Sequence, residues 1–195
     1  MNKPAGKNKE NLEKTRAHLI DVATRCFSLH GFRKTSTTMI VKEAKSSRGS
    51  LYHHFEDKVE IFRAVYDSLG QRIGEIVESY AQNNGDIRHD LIEGCVAYLK
   101  VFTDKTFAQI ILIDGPNVLG LDYCRAVDEE SAYAALLYGV EQVKTSSMEA
   151  VYIADLLSGT LDTYALRIAL SENRDLTFDN YADAFRQLAD KVLDD

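Results

Sequence analysis

The sequence has no tryptophan, two prolines and three cysteines among its 195 residues. Cys26, Cys95 and Cys124 are odd in number and lack the short spacings of metal ligands, so we expect them to be structural rather than disulfide-bonded. No apolar run approaches the roughly 18 residues of a membrane span, and the polar, lysine-rich start lacks the apolar core of a signal peptide. These absences predict a soluble, cytoplasmic protein without membrane contact.

The arrangements that usually carry catalysis or cofactor binding are also missing. The chain has no glycine-rich phosphate loop, no His-Glu metal box and no nucleophile with a base at a fixed spacing. His53 and His54 are adjacent, and neighbouring side chains on a helix point about 100° apart, which disfavours a shared metal ion. We therefore expect no enzymatic activity, no cofactor and no bound metal.

Charge is distributed unevenly along the chain. Residues 1–60 hold 12 Lys or Arg against 7 Asp or Glu, a net of +5, whereas the remaining residues hold 11 against 23, a net of −12. A basic segment attracts phosphates, and an acidic body limits nonspecific adhesion. The asymmetry favours a protein that presents one end to DNA, although a solvated basic tail would produce it as well.

Apolar residues recur at helical spacing between turn signals, which predicts an all-α fold. The first helices are expected to break at Gly31, to be capped at Ser36 or Thr37 and at Ser47, and to continue into a long helix that opens at Asp57. Two short helices joined by a tight turn bury little apolar surface alone, so they must pack on the helices before and after them. Further helices are expected near residues 87–103, 105–114, 120–143, 147–171 and 178–193, with a break at Asp114–Asn117 and caps at Ser147 and Thr177.

The third predicted helix has a face of hydrogen-bond donors. Leu51 and Phe55 are spaced to face inward, which leaves the polar positions of this helix free to enter a major groove. Arg48, near the helix N-terminus, can bond a guanine edge with two hydrogen bonds, and its neighbours can bind bases or phosphates. The predicted DNA contacts are Ser36, Thr37, Thr38, Ser47, Arg48, Gly49, Ser50, Tyr52, His53, His54 and Lys58.

This part of the chain resembles a known family. The segment GFRKTSTTMIVKEAKSSRGSLYHHFEDKVEIF is similar to the head of the tetracycline-repressor-type (TetR) regulators, and the resemblance covers roughly residues 12–66. Its specific elements are Gly31-Phe32, Thr35-Ser36, Ile40, Ala44, Ser47, Gly49 and the run Leu51–Phe55 followed by Lys58. The resemblance implies a homodimer on a palindromic operator, usually a repressor, which leaves the DNA when a small molecule enters the C-terminal domain. The segments ILIDGPNVLG and LLSGTLDTYALRIA also resemble members of this family.

The chain departs from the family pattern in the turn between the two short helices. Lys45 and Ser46 stand where the family usually has glycine and a small apolar residue. A lysine in a left-handed turn costs roughly 1 kcal/mol relative to glycine, so the head is expected to have a reduced free energy of unfolding. Met39 occupies a position where an acidic or polar residue is common.

The C-terminal half is predicted to bind an unknown small-molecule effector and a second copy of the chain. The expected pocket residues are Tyr98, Phe102, Phe107, Ile111, Tyr123, Tyr133, Tyr152, Asp155 and Tyr164, although an aromatic stripe is often plain core. Asp155 and Asp162 share a helix face. This placement is compatible with acid–base catalysis, with binding of an amine, or with a polar edge at a subunit interface. The expected dimer contacts, in a four-helix bundle, are Leu157, Leu161, Tyr164, Ile168, Tyr181, Phe185 and Leu188.

The predicted organisation is therefore a three-helix helix-turn-helix head followed by a helical ligand-binding and dimerisation domain. Its expected segments are a basic tail (1–11), the helix-turn-helix domain (12–58), a connecting helix (59–80) and the C-terminal domain (81–195). The leading interpretation is a ligand-responsive DNA-binding repressor. The alternatives are a family member without DNA binding that acts as a helical binding protein, and a helical enzyme with an incidental basic head. Salt-dependent DNA binding, a dimer without DNA affinity, or turnover would separate the three.

Overall fold

The computed structural model describes residues 5–80, 85–143 and 148–194, and every regular element in them is a helix. In chain order the helices are α1 (Ala5–Lys34), α2 (Thr37–Glu43), α3 (Arg48–His54), α4 (Lys58–Tyr80), α5 (Ile87–Val101), α6 (Lys105–Phe107), a π-helix (Ala108–Asp114), α7 (Gly115–Leu119), α8 (Leu121–Glu129), α9 (Ala132–Val143), α10 (Ala150–Ala169) and α11 (Arg174–Asp194). The predicted all-α fold is confirmed.

The head is formed by α1, α2, α3 and the start of α4. The hydroxyl of Ser36 accepts a hydrogen bond from the Met39 N–H at 3.2 Å, and the hydroxyl of Ser47 accepts one from the Ser50 N–H at 3.0 Å. Each serine satisfies a backbone donor that the first turn of a helix leaves open, so the predicted caps of α2 and α3 are confirmed, with Ser36 rather than Thr37 capping α2. The inward-facing side chains of these helices, among them Leu51 and Phe55, are buried against α1 and α4.

The turn between α2 and α3 has the geometry that the sequence suggested. Lys45 has a φ of 48°, which is the left-handed conformation that favours glycine. The N–H of Lys45 donates to the Lys42 carbonyl at 3.2 Å, and the N–H of Ser46 donates to the Val41 carbonyl at 3.0 Å. This pair of hydrogen bonds closes α2 with a Schellman motif, which requires a left-handed residue at position 45.

Replacing Lys45 with glycine should therefore stabilise the head by about 0.5 to 1 kcal/mol, because glycine adopts the left-handed conformation without a side-chain clash. Thermal unfolding followed by circular dichroism measures the change. Lys42→Gly is the matched control, since Lys42 lies inside α2 and glycine there should lower the melting temperature. A lower melting temperature for Lys45→Gly would contradict the strain assigned to this turn.

The first helix begins earlier than predicted and is interrupted where predicted. Residues 5–11, which the sequence assigned to a basic tail, are helical in α1. Gly31 has a φ of 71°, so the helix breaks there before a last turn that ends at Lys34. The Phe32 N–H, which this break leaves without a helical partner, donates to the Asp114 carboxylate at 2.8 Å. The break therefore allows a hydrogen bond between the head and the C-terminal domain.

The C-terminal domain is a bundle in which α5 packs against α4, α9, α10 and α11. The Arg186 guanidinium pairs with the Glu93 carboxylate at 2.7 and 3.0 Å, linking α11 to α5. Among the described residues, none of the helices has the length and apolar character that a bilayer span requires.

Three predicted boundaries in this domain were wrong. The chain is helical at Asp114–Asn117, where a break was predicted, because Pro116 lies in the first turn of α7 and its missing N–H is tolerated there. The helix is interrupted instead at Gly120, which has a φ of 85°. The helix predicted over 120–143 is divided into α8 and α9 around Ser131.

The last helix begins at Arg174 rather than after Thr177, since the Asn173 side chain accepts a hydrogen bond from the Leu176 N–H at 3.2 Å. The predicted cap Ser147 lies outside the described residues.

Candidate DNA-binding surface and ligand cavity

The solvent face of α3 carries the donors that the sequence singled out. Arg48, Tyr52 and His53 are exposed, and Ser50 is half-buried. The Arg48 guanidinium donates to the Thr38 hydroxyl at 2.9 Å, and the hydroxyls of Tyr52 and Thr37 lie 3.3 Å apart. These contacts join α2 to α3 on the same side of the head, so the structure brings Thr37, Thr38, Arg48 and Tyr52 together on one surface.

The other predicted DNA contacts on α2 and α3 lie at the edges of this surface. The exposed Ser36 and Ser47 use their side-chain oxygens as caps, which leaves their hydroxyl hydrogens available to an acceptor. A Cβ atom added at the exposed Gly49 would lie 3.9 Å from the Ser47 hydroxyl, an ordinary contact distance, so the fold of the head leaves room for a Cβ there. His54 is half-buried, and desolvation, helped by the nearby His53, lowers its pKa.

Lys58 has partners within the head, and its predicted contact with DNA stays a prediction. Its ammonium donates to the Phe32 carbonyl at 2.9 Å and to the Thr35 carbonyl at 3.0 Å, and it lies 4.0 Å from the centre of the Phe32 ring. The side chain is therefore directed toward the C-terminal end of α1. The reason is electrostatic, because the carbonyls at a helix C-terminus attract a cation, whereas the N-terminus of α4 repels one.

The start of α1 adds residues that the sequence interpretation missed. Lys9, Asn11, Leu12 and Thr15 form a shallow groove with Ser50, His53 and His54 of α3. Farther along α1, the Arg16 guanidinium lies 5.2 Å from the centre of the Phe55 ring. Helical spacing in KENLEKTRA was the available signal, but the basic composition of residues 1–11 had suggested a tail. The candidate DNA-binding surface therefore includes the beginning of α1.

A cavity of about 380 Å³ lies in the C-terminal domain between α4, α5, α8, α9 and α10. Its wall is largely apolar, with side chains such as Val77, Leu91, Leu136 and Leu161. Cys95 also lines it, and burial raises the pKa of this thiol to about 12, which keeps it protonated. The volume falls within the range of about 300 to 1,000 Å³ that is usual for small-molecule sites.

The polar groups in the cavity wall include three carboxylates and three phenols, of Asp90, Asp128, Asp162, Tyr98, Tyr133 and Tyr138. The Tyr98 hydroxyl donates to the Asp162 carboxylate at 3.3 Å. Burial, together with the charge of Asp162, raises the pKa of Asp128 to about 6. Burial also raises the pKa of Asp162, although the hydrogen bond from Tyr98 opposes that shift. Among the described residues, no Lys, Arg or His lines this cavity.

The structure brings Tyr98 and Tyr133 to the cavity wall and places the other seven predicted pocket residues elsewhere. Phe102 and Phe107 are buried, Ile111 is half-buried in the π-helix, and Tyr152 is 59% exposed. Tyr123 donates to Asp67 at 2.6 Å, Asp155 accepts a hydrogen bond from Tyr133 at 2.6 Å, and Tyr164 packs on Tyr181 with ring centres 4.5 Å apart. The sequence interpretation omitted Asp128 and Asp162 from the pocket; it named Asp162 only as a carboxylate on the same helix face as Asp155, which it did place in the pocket.

Four of the predicted dimer contacts belong to the interior of one subunit. Leu157, Leu161, Ile168 and Phe185 are each at most 5% exposed, because α10 and α11 pack on each other and on α5. Tyr164, Tyr181 and Leu188 are half-buried. The first four residues are therefore unavailable to a partner, and their place in the predicted interface is corrected.

A different face of α10 is exposed and apolar. Its residues recur at alternating steps of four and three, the spacing that keeps side chains on one face of a helix; they are Tyr152, Leu156, Gly159, Thr163, Leu166 and Leu170. Leu156 is 48% exposed, Leu166 is 42% exposed, and a Cβ atom added at Gly159 would have no atom within 4 Å apart from the neighbouring backbone of its own helix. We call these six residues the α10 stripe. The stripe has the pattern of a helix that packs against another helix.

Two family models match this chain over most of its length. The model described as "Bacterial regulatory proteins, tetR family" matches residues 19–65, and the model described as "Tetracyclin repressor-like, C-terminal domain" matches residues 89–192. The first match covers the surface formed by α2 and α3. The second covers all of the carboxylates in the cavity wall and the α10 stripe.

Individual proteins are similar to parts of the chain. The HTH-type transcriptional regulator AcrR of Shigella flexneri is 40% identical over 83 residues, which are 42% of this chain and 39% of AcrR. The probable acrEF/envCD operon repressor of Escherichia coli strain K12 is 30% identical over 112 residues, which are 55% of this chain and 51% of that repressor. The matches thus span about half or less of the length of these relatives.

A crystal structure of a TetR-family transcriptional regulator from Pectobacterium atrosepticum is similar over nearly the whole chain. The two proteins are 26% identical, the TM-score is 0.77, and the match covers 92% of this chain and 94% of the other. The likeness extends through both the head and the C-terminal bundle.

Proposed function

Since this chain belongs to the TetR family of bacterial regulatory proteins, we propose that it is a homodimeric transcriptional repressor whose DNA binding is controlled by a small molecule. It acts in the cytoplasm on a palindromic operator. The surface formed by α2 and α3 binds the DNA, the cavity in the C-terminal domain takes the effector, and the α10 stripe joins the two subunits.

The exposed row of donors on α3 is the observation that carries this proposal. Arg48 lies in the first turn of α3, where a side chain of a recognition helix reaches base edges in the major groove. Its hydrogen bond to Thr38 holds the guanidinium on the outer surface of the head. A planar guanidinium in this position can bond both acceptors of a guanine.

The effector is proposed to act through contacts between the head and the C-terminal domain. The Asp114 carboxylate accepts the Phe32 N–H, and the hydroxyls of Ser28 and Thr106 are 3.0 Å apart. On the C-terminal side, α4 and α5 line the cavity, and α4 also begins inside the head. A ligand that changes the packing of α4 therefore changes the position of α3 relative to its partner subunit's α3.

The test of DNA binding is selection of duplexes from a randomised library by the purified chain. The selected sites should be palindromic, and affinity should fall steeply as salt rises, because binding displaces counterions from several phosphates. A dimer that retains no duplex at low salt would contradict the proposed function.

Within that experiment, Arg48→Ala should reduce the affinity for the selected operator by about 1 to 3 kcal/mol and relax the preference at one base pair per half-site. The loss should be specific to sequence, so affinity for unrelated DNA should change much less. Electrophoretic mobility shifts on operator and unrelated duplexes measure both. Arg125→Ala is the matched control, because Arg125 is exposed on α8, which is not one of the helices that form the head. Equal operator affinity for the two variants would remove Arg48 from the interface.

A further inference from the structure

We propose that the cavity in the C-terminal domain takes a cationic ligand, an organic amine or ammonium ion with an apolar or aromatic body. The inference rests on the proposed role of this cavity as the effector site and adds the charge of the effector. Its basis is a partly open, largely apolar space whose charged groups, among the described residues, are all carboxylates.

The carboxylates meet in the cavity from three helices. Asp90 is on α5 and is 7% exposed, Asp128 is on α8, and Asp162 is on α10. The charge of Asp162 is close enough to disfavour ionisation of the half-buried Asp128, and desolvation raises the pKa of both carboxyl groups. A ligand that carries a positive charge lowers the cost of holding these groups ionised, whereas a ligand carboxylate raises it.

The tyrosines and the apolar wall favour an apolar or aromatic body next to the ligand's positive charge. Tyr98, Tyr133 and Tyr138 place aromatic rings around the same space as the carboxylates. The faces of such rings attract cations, and their bodies pack well on apolar groups. The Tyr98 hydroxyl is already engaged with Asp162, so it holds that carboxylate in place for a ligand ammonium group. A hydrophilic cation such as a metal ion would leave the apolar wall unused.

Three compounds with one carbon skeleton test the charge. They are 4-tert-butylbenzylamine, 4-tert-butylbenzyl alcohol and 4-tert-butylbenzoate, which are cationic, neutral and anionic at pH 7.5. Binding to the purified chain is measured without DNA, by isothermal titration and by ligand-observed NMR. The amine should bind about tenfold more tightly than the alcohol, because hydrogen bonds to charged groups are the stronger ones, and the benzoate should bind most weakly.

The paired variant Asp128→Asn with Asp162→Asn keeps the shape of the cavity and removes two charges. It should lose about tenfold in amine affinity, with alcohol affinity unchanged. Asp122→Asn with Asp179→Asn is the matched control, because it makes the same change in net charge at exposed positions outside the cavity.

Each outcome separates the ligand class from the regulatory function. An alcohol that binds as tightly as the amine, a preference that survives in the paired variant, or no binding of any of the three at millimolar concentration would overturn the cationic ligand. Any of these results with intact operator binding would leave the proposed repressor function standing. A clear preference for the amine in a chain that binds no operator would support the ligand class and remove the proposed function.

Discussion

Replacing Leu166 with glutamate should turn the protein from a dimer into monomers at low micromolar concentration. Leu166 lies on the α10 stripe and is 42% exposed in the isolated subunit, so a charge there costs the folded subunit little. In a symmetric interface the same residue occurs twice, and both carboxylates would be desolvated without a partner. The expected loss is several kcal/mol, or at least a hundredfold in the dimer dissociation constant.

Gly159→Arg is a second variant that keeps this prediction testable. The subunit has open space around Gly159, whereas two closely packed helices have none, so arginine should separate the subunits without disturbing either one. Leu121→Glu is the matched control, because Leu121 is 73% exposed on α8, outside the stripe. Sedimentation and light scattering report the oligomeric state, and circular dichroism reports the fold.

The consequence for DNA binding follows from the proposed two-fold symmetry of the operator. A monomer contacts one half-site, so both dissociated variants should bind the full operator poorly although α3 is unchanged. Intact dimers for Leu166→Glu and Gly159→Arg would place the interface elsewhere. The buried Leu161 and Phe185 are unsuitable for this test, since a charge at either position would enter the subunit core and unfold it.

The contrast between Leu161 and Leu166 shows why the interface was difficult to predict. The sequence predicts more than one apolar face on α10, and the structure has apolar residues on both its buried and its exposed face. The sequence does not show which face turns inward, because that depends on how α10 lies against α5 and α11. Leucine side chains occur on both faces, so composition alone could not rank them.

The head was predicted more completely because its signals are local. Ser36 and Ser47 cap helices through bonds to residues three positions ahead, and Lys45 takes its conformation from the turn itself. The cavity depends instead on tertiary packing. Asp128 reaches it from α8, which ends before Ser131, is separate from α9 and lies against both α9 and α4. A periodic pattern that predicts one continuous helix cannot place that carboxylate.

Lys58 shows how tertiary packing can give a side chain partners that the sequence does not reveal, even where its position in the secondary structure is predictable. It is the first residue of α4, next to the recognition helix, which is a suitable position for a phosphate contact. The carbonyls of Phe32 and Thr35 lie where α1 ends. Each accepts a hydrogen bond from the Lys58 ammonium, so two of its three hydrogen atoms are engaged. The position was predicted, but the partner required knowledge of how α1 ends against α4.

Lys58→Met should therefore destabilise the head rather than simply weaken contacts with DNA. Methionine retains most of the side chain's apolar length, but it leaves the carbonyls of Phe32 and Thr35 without their donor and removes the cation above the Phe32 ring. Losing a charged donor to partly buried carbonyls costs about 1 to 3 kcal/mol. Thermal unfolding should show this as a lower melting temperature. Lys42→Met is the control, because Lys42 is exposed in the last turn of α2.

The salt dependence of DNA binding separates the two roles of Lys58. A lysine that contacts a phosphate contributes about one unit to the slope of affinity against salt, and its loss weakens binding to every sequence alike. A lysine that holds α1 to α4 leaves that slope unchanged in the molecules that remain folded. We expect Lys58→Met to lower the melting temperature and, at temperatures well below it, to keep the salt slope of the parent protein. An unchanged melting temperature together with a shallower slope would return Lys58 to the DNA contacts.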